Sequence, residues 1–226
     1  LVKVFDLASG EVLYQIKKHS EWVTQVSFSP DGILLASADR NGGLHVWEAG
    51  TGNPFYSLIG HKAEITDLSW RADGNVLLSA SEDGGIRTWE MINGKSVKTW
   101  TAHSAGTLSA HFDEKGQVVS SGRDKTVKLW DQNGKGIRTV SGFKDIVMEA
   151  RLSHDGAKII SGDWSGEIKV WNSADGKLLR TLSGNPPSIE SRIAQARSFL
   201  EKSRKDYETS NRKLEPLVQE VEKAKS

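Results

Sequence analysis

Large aromatic residues recur at a nearly constant spacing along most of this chain. Phe5, Trp47, Trp89, Trp130 and Trp171 follow one another with a period of about 42 residues. Such a period is typical of chains built from one repeated unit, because each unit buries its apolar surface only against its neighbours. The spacing therefore restricts the fold to a repeat architecture.

Polar residues and turns recur with the same period. A serine lies ten residues before each tryptophan, a short polar side chain lies six residues before it, and a histidine lies twenty-seven or twenty-eight residues before the first three tryptophans. Phe143 takes the histidine position in the last unit. The three sets are Ser37, Ser79, Ser120 and Ser161; Asn41, Asp83, Asp124 and Ser165; and His19, His61 and His103. A unit of this length with these marks is typical of a four-stranded propeller blade.

Hydrophobic alternation predicts the strands independently of the spacing. Short segments alternate apolar with polar residues or are continuously apolar, and turns rich in glycine separate them, which is the pattern of antiparallel strands. No helix is expected before Asn185. The strands predicted for the first complete unit are Trp22–Phe28, Ile33–Ala38, Leu44–Trp47 and Pro54–Ile59.

These residues resemble the WD-repeat β-propeller family over positions 1 to about 185. Of the four tryptophans, only Trp130 is followed by aspartate. The resemblance implies an all-β fold with half a blade at 1–18 and four full blades at 19–60, 61–102, 103–142 and 143–184. Since most such propellers close with seven blades, and since no Met opens the sequence, we expect a fragment of a longer protein.

The resemblance also implies a hydrogen-bonded chain inside each blade, made of histidine, serine, aspartate and tryptophan. These residue types also occur in hydrolase triads, but their recurrence from blade to blade favours a structural role, in which the buried tryptophan N–H finds an acceptor. Asn41 in the first unit, and Phe143 with Ser165 in the fourth, predict weaker or absent networks there. The two complete sets are His61, Ser79, Asp83 and Trp89, and His103, Ser120, Asp124 and Trp130.

Partner contacts in this family concentrate on one rim, which is formed by the loop before the first strand and by the turn between the second and third strands. In the fourth unit large apolar residues occupy these positions, and they are the main candidates for a protein-binding site. The alternative is that Ile146 and Met148 are ordinary strand residues and that Trp164 packs against a neighbouring blade. The partner-binding candidates are Trp22, Arg40, Leu108, Arg123, Ile146, Met148 and Trp164.

The pattern changes after Asn185. Two prolines at 186–188 predict a short linker with Ser188 as a helix N-cap, and residues 189–226 carry an apolar heptad seam among many charged residues. We expect a coiled coil or helical hairpin, with a solvated single helix or a partly disordered linker as the alternative. Its partner is either another copy or a later segment of the same chain. Pro216 predicts a kink or a restart of the helix.

Composition excludes several other functions. With 30 basic and 29 acidic residues the formal net charge is +1, so no broad nucleic-acid footprint is expected. The chain has no cysteine, and no two of its six histidines lie three to five residues apart, so neither a metal site nor a cofactor is expected. The sequence contains no run of 18 apolar residues, so no membrane-spanning segment is predicted.

The sequence thus predicts a non-catalytic scaffold that presents its rim to a protein or peptide and uses its C-terminal helix to oligomerise or dock. The alternative is an accessory propeller of a larger enzyme or of a haem-containing periplasmic protein, whose active domain lies elsewhere in the full chain. The cellular compartment stays open between cytoplasm and periplasm.

Overall fold

A computed structural model describes residues 1–182 and 189–224, with side chains up to residue 212 and at Pro216. It divides into two units, Leu1–Leu182 and Ser183–Ser226. The regular secondary structure of the first unit is all strand, and the described residues of the second unit form one helix. The predicted linker at 186–188, including the N-cap position Ser188, lies outside the described residues.

The first unit contains eighteen strands in five antiparallel sheets. Each sheet is built from consecutive strands, as expected for blades. The half blade comprises β1 (Val2–Phe5) and β2 (Val12–Ile16); blade 1 comprises β3 (Val23–Phe28), β4 (Leu34–Asp39), β5 (Leu44–Glu48) and β6 (Pro54–Leu58); blade 2 comprises β7 (Ile65–Trp70), β8 (Val76–Ser81), β9 (Gly85–Glu90) and β10 (Lys95–Thr101). Blade 3 comprises β11 (Thr107–Phe112), β12 (Val118–Gly122), β13 (Val127–Trp130) and β14 (Gly136–Val140); blade 4 comprises β15 (Val147–Leu152), β16 (Lys158–Asp163), β17 (Ile168–Asn172) and β18 (Leu178–Leu182).

The four strands predicted for blade 1 are confirmed within one residue at each end. The turns between first and second strands, and between third and fourth strands, contain glycines with positive φ, such as Gly32 and Gly52. Glycine tolerates this backbone conformation because it has no Cβ atom. Local alternation and these turns were therefore sufficient to predict the strand boundaries.

The apolar core lies between consecutive blades. Each full blade buries apolar side chains on its second and third strands, and the side chains of two adjacent blades form one cluster. Leu35 and Trp47 of blade 1 also pack against Val2 and Ile16 of the half blade. Each blade is thus stabilised by burial against its neighbours, as in other repeat proteins.

A bulge occurs at the same place in all four full blades, between the first and second strands. Strand pairing skips one residue there: Thr24 in blade 1, Thr66 in blade 2, Leu108 in blade 3 and Met148 in blade 4. An extra residue of this kind is left out of the ladder and turns its side chain in a new direction. The bulges therefore set these four residues apart from the regular sheet.

The described residues of the second unit form a single helix, α1 (Ile189–Ala224), which continues through Pro216. The restart expected at this proline does not occur, although its missing N–H removes one helical hydrogen bond. Ile193, Leu200 and Tyr207 of the predicted seam are exposed. The predicted helix is therefore present, and a coiled-coil partner for it stays a prediction.

Candidate functional site

A hydrogen-bonded chain runs through the interior of blade 2. The indole N–H of Trp89 donates to Ser79 Oγ at 2.9 Å, Ser79 Oγ lies 2.8 Å from His61 Nε2, and His61 Nδ1 lies 2.9 Å from Asp83 Oδ2. All donors and acceptors are satisfied when the imidazole carries its proton on Nδ1. The chain therefore joins the buried tryptophan to the turn between the second and third strands.

Burial and hydrogen bonding determine the ionisation of the histidine and the aspartate in this network. Burial lowers the pKa of His61, and the hydrogen bond with Asp83 reverses that shift only in part. Burial opposes ionisation of Asp83, but the hydrogen bonds from His61 and from the Gly85 N–H hold the pKa of Asp83 below its usual range. A neutral imidazole beside a carboxylate is the consequence at neutral pH.

Blade 3 contains the same hydrogen-bond network. Trp130 donates to Ser120 Oγ at 2.8 Å, and His103 lies 2.9 Å from Ser120 Oγ and 2.7 Å from Asp124 Oδ1. His103 is fully buried, and this burial lowers its pKa. A reactive triad needs access to substrate and has no reason to recur, so the repetition indicates a structural role for these side chains.

The expectation of a weak network in blade 1 was wrong. His19 lies 2.7 Å from Asp39 Oδ2 and 2.7 Å from Ser37 Oγ, which accepts the Trp47 N–H at 2.8 Å. Asp39 replaces the carboxylate missing at Asn41, because it lies at the buried end of β4, where the Asn41 and Gly43 N–H groups also donate to it. Two sequence positions can therefore supply the carboxylate.

The hydrogen-bond network of blade 4 is shorter. Trp171 still donates to Ser161 Oγ at 2.9 Å, but the Phe143 ring stands in the histidine position, 5.4 Å from the Trp171 ring. Lys169 Nζ lies 5.1 Å from the Phe143 ring and donates to the Gly142 carbonyl at 2.7 Å. Aromatic packing and a cation–π contact therefore replace the imidazole link.

The rim consists of the predicted partner-binding residues together with the two glutamates of blade 2, Glu64 and Glu82. Arg123 of blade 3 binds the Glu82 carboxylate through two nitrogens at 2.6 to 3.1 Å. Arg40 of blade 1 lies 3.7 Å from Glu64. Both glutamates are thus paired with arginines of the flanking blades, and the charge in the middle of the rim is largely neutralised.

Some predicted rim residues come together and others do not. Leu108, Arg123 and Met148 line one depression of about 330 Å³, which also includes residues of blades 1 and 2. Trp22 and Trp164 are not part of this depression and are 73% and 68% exposed. Arg40 lies over the Trp22 ring, 5.4 Å from its centre, and Ile146 is half-buried. Trp164 is too exposed to be the core residue of the alternative interpretation.

Two threonines at rim positions connect neighbouring blades. Thr24 Oγ1 donates to the Ile65 carbonyl at 2.6 Å, and Thr66 Oγ1 donates to the Thr107 carbonyl at 2.8 Å. Leu108 and Met148 occupy the equivalent bulge positions in blades 3 and 4 but have no hydroxyl. The bulge positions therefore connect blades on one half of the rim and present apolar side chains on the other.

Sequence reasoning missed a charged cluster on the inner strands. His111 Nε2 of blade 3 lies 2.8 Å from Asp67 Oδ2 of blade 2 and 2.8 Å from Glu149 Oε1 of blade 4, and Arg151 also binds Glu149 at 2.8 Å. Burial works against a charged imidazole, but the hydrogen bonds to both carboxylates outweigh it and raise the pKa of His111. Charged residues within otherwise buried first strands were the available signal.

Metal-binding clusters and membrane-spanning helices are absent from the described residues. No group of three or more His, Asp or Glu side chains among them is arranged to hold a metal ion. In the same part of the chain, no helix has the length and apolar character needed to cross a membrane.

Known proteins share this repeat. The family model "WD domain, G-beta repeat" matches residues 10–48, 52–90, 94–131 and 134–172. Similar relatives include the small ribosomal subunit protein RACK1y of Oryza sativa subsp. japonica, 30% identical over 31% of this chain and 26% of that protein. Autophagy-related protein 16 of Arabidopsis thaliana is 28% identical over 33% of this chain and 15% of that protein. The alignments span about a quarter or less of these relatives.

A solved structure is also similar. The crystal structure of the computationally designed Ika8 protein matches with a TM-score of 0.72 and 30% identity, over 81% of this chain and 56% of that one. The four family matches together cover more than half of the 226 residues. The repeated tryptophans, the antiparallel four-stranded sheets and these matches lead to one conclusion: the chain belongs to the WD-repeat family.

Proposed function

We propose that this protein is a non-catalytic interaction scaffold whose rim binds a protein or peptide. The exposure of Trp164 supports this most directly, because a tryptophan that is 68% exposed keeps a large apolar surface in water. Tryptophan is one of the residue types enriched at the energetically dominant positions of protein interfaces. Met148, 38% exposed, adds an adaptable apolar side chain on the same blade.

The charges of the rim support an apolar anchor site. Glu82 and Arg123 satisfy each other, so a partner that covers them need not bring a counter-charge of its own. Their pairing leaves Leu108 and Met148 as the apolar part of the depression. A partner with an apolar or aromatic side chain at its centre and polar groups around it suits this arrangement.

Trp22 extends the proposed site at the other end. Its ring is 73% exposed and is held by the cation–π contact with Arg40, which in turn lies near Glu64. A ring held in one orientation loses less entropy on binding than a free one. We therefore propose Trp22 as a second anchor, separated from the first by the charged residues of blade 2.

The helix α1 is proposed as a second docking element. Ile193, Leu200 and Tyr207 follow one another at intervals of one heptad along its seam, and all three are exposed. A helix of this composition gains most of its stability from packing an apolar face, so a partner helix is expected. We propose that this partner helix comes from a second copy of the chain.

The rim proposal is tested with the Trp164→Ala variant. We expect the variant to bind about tenfold less, or an even smaller amount, of its native partners from a lysate of the source organism, because an interface anchor is lost. The melting temperature of the variant should stay unchanged. The matched control is Ile92→Ala, which removes an 81% exposed apolar side chain from a turn at the opposite end of blade 2. Equal retention by both variants would contradict the proposal, and so would unfolding of Trp164→Ala, because this residue would then support the fold instead of a partner.

A further inference from the structure

The two methionines of the chain lie in very different surroundings. Met91 packs into the apolar cluster between blades 1 and 2 and is 7% exposed. Met148 lies on the rim and is 38% exposed. Because the sequence contains no cysteine, these two thioethers hold all the sulfur of the chain. One sulfur-containing side chain is therefore open to solutes, and the other is enclosed.

The bulge of β15 gives Met148 its exposure. Val147 pairs with Asp163 and is fully buried, whereas strand pairing skips Met148. Its side chain lines the rim depression together with Leu108 and Arg123. In the part of the chain that the structure describes, the apolar clusters between blades do not include Met148. A chemical change at this thioether therefore alters the rim and leaves the core intact.

Thioethers react with peroxides. The sulfur lone pair attacks one oxygen of hydrogen peroxide, the O–O bond breaks, and the other oxygen leaves as water. Sulfur loses two electrons, the peroxide gains them, and the product is methionine sulfoxide. Met91 can react in this way only after a local opening of the junction between blades 1 and 2, because its neighbours enclose it. Met148 needs no such opening.

We propose that Met148 is an oxidation site and that its sulfoxide switches off partner binding at the rim. The inference rests on the function proposed above, because it assigns a regulation to the same surface. Oxidation converts a flexible apolar side chain into a polar one, which disrupts interfaces that depend on methionine. Methionine sulfoxide reductases reverse the reaction, so the switch has two directions.

The polar groups of the depression explain why the sulfoxide opposes binding. Thr24 and Thr66 donate their hydroxyl protons to carbonyls of the next blades, and Arg123 is bound to Glu82. A partner that places an apolar side chain on Leu108 and residue 148 removes water from the sulfoxide oxygen and supplies no donor in exchange. An acceptor buried without a hydrogen bond weakens a complex.

The first test compares the rates of oxidation at the two methionines. The 226-residue chain is incubated with hydrogen peroxide under native conditions, and trypsin then separates Met91 and Met148 onto the peptides 88–95 and 145–151. We expect mass spectrometry to show the addition of one oxygen at least about tenfold faster at Met148 than at Met91. In urea, where both thioethers are exposed, the two rates should converge. The melting temperature of the chain oxidised at Met148 should match that of the native chain.

The second test measures the effect on binding. Immobilised chain is oxidised at Met148, freed of peroxide and exposed to a lysate of the source organism. The amount of partner retained should fall by about tenfold and should recover after treatment with methionine sulfoxide reductase. For Met148→Leu, the amounts retained before and after peroxide should be equal, because leucine is not oxidised. The reversal by the reductase uses the native chain, so the test does not depend on how this variant folds.

Three results would overturn the proposal. The first is an equal rate of oxidation at Met91 and Met148 in the folded chain. The second is unchanged retention after oxidation of Met148 in an assay where Trp164→Ala does lower retention, which would leave the rim proposal standing and remove the switch. The third is the same loss of retention in peroxide-treated Met148→Leu, which would assign the loss to another residue. If neither oxidation nor Trp164→Ala changes retention, the rim proposal fails and the switch fails with it.

Discussion

Lys125 has a backbone conformation that glycine adopts at the equivalent position of the other full blades. Its φ is +58°, and it is the one non-glycine residue with positive φ among the described residues. Gly42, Gly84 and Gly166 hold the same place in the other turns between second and third strands, with φ of 83° to 84°. A side chain in this region costs roughly 1 kcal/mol because its Cβ crowds the backbone. Lys125 Nζ recovers little of this by donating to the Lys144 carbonyl at an exposed site.

Replacement of this lysine by glycine should stabilise the fold. We expect Lys125→Gly to raise the free energy of unfolding by about 0.5 to 1 kcal/mol, because the strain is removed and only an exposed hydrogen bond is lost. Urea denaturation measures the change. Lys135→Gly, in an exposed turn where φ is not positive, should leave stability unchanged or lower it slightly. A loss of stability in Lys125→Gly would show that the contact with Lys144 outweighs the strain.

The sequence did not predict which residue supplies the carboxylate in every blade network. Spacing aligned Asn41 with Asp83 and Asp124, so a missing carboxylate was inferred for blade 1. In the structure Asp39 reaches His19 from two residues earlier, because its side chain points into the same buried turn. Spacing along the chain identifies the turn, but it does not determine which acid in that turn reaches the imidazole.

Whole strands were easier to predict than single contacts. The strand boundaries of blade 1 follow from local alternation and from turn glycines, which act over a few residues. The bulges that single out Leu108 and Met148 were not predictable, because the extra residue is defined only once two strands are paired. The family resemblance indicated these positions as rim residues, but their environment became clear only from the paired strands.

The helix α1 permits a test at the level of one element. We expect the native chain to self-associate, and Leu200→Glu to return it to the mass of one chain, because a charge is placed in the apolar seam. Light scattering coupled to size-exclusion chromatography measures the mass. Phe199→Glu is the matched control: the neighbouring residue is equally exposed but lies outside the seam, so association should persist. A native chain that is already monomeric would contradict a partner helix supplied by a second copy.

At the level of the whole molecule, polar contacts between blades supplement the apolar core. Thr24 and Thr66 each bind the backbone of the next blade, and His111 joins three blades through Asp67 and Glu149. Such contacts join residues that lie about one repeat apart in the sequence. They depend on how the blades stack, so neither periodicity nor spacing could reveal them. The sequence predicted the repeat and its strands, whereas the links between repeats needed the structure.

The cluster around His111 predicts a pH-dependent stabilisation of the stacked blades. Two carboxylates, Asp67 and Glu149, face the imidazole, and Arg151 opposes its protonation from the far side of Glu149. Because the folded state raises the pKa of His111, its contribution is fully present below the unfolded value of about 6.5 and is lost as the pH rises through the folded value. His61 and His103 give stability the opposite pH dependence, because burial lowers their pKa.

Comparison of the native chain with His111→Gln isolates this contribution from that of the other histidines. At pH 6 the variant should be less stable by about 2 kcal/mol, since glutamine is uncharged and cannot bridge the two carboxylates equally well. The difference should shrink as the pH is raised toward 9, where the native imidazole loses its proton. Urea denaturation at each pH measures it, with His154→Gln as the control, because the His154 side chain is 91% exposed. A difference that is the same at both pH values would show that His111 acts by packing alone, and the three blades would then be joined by neutral contacts.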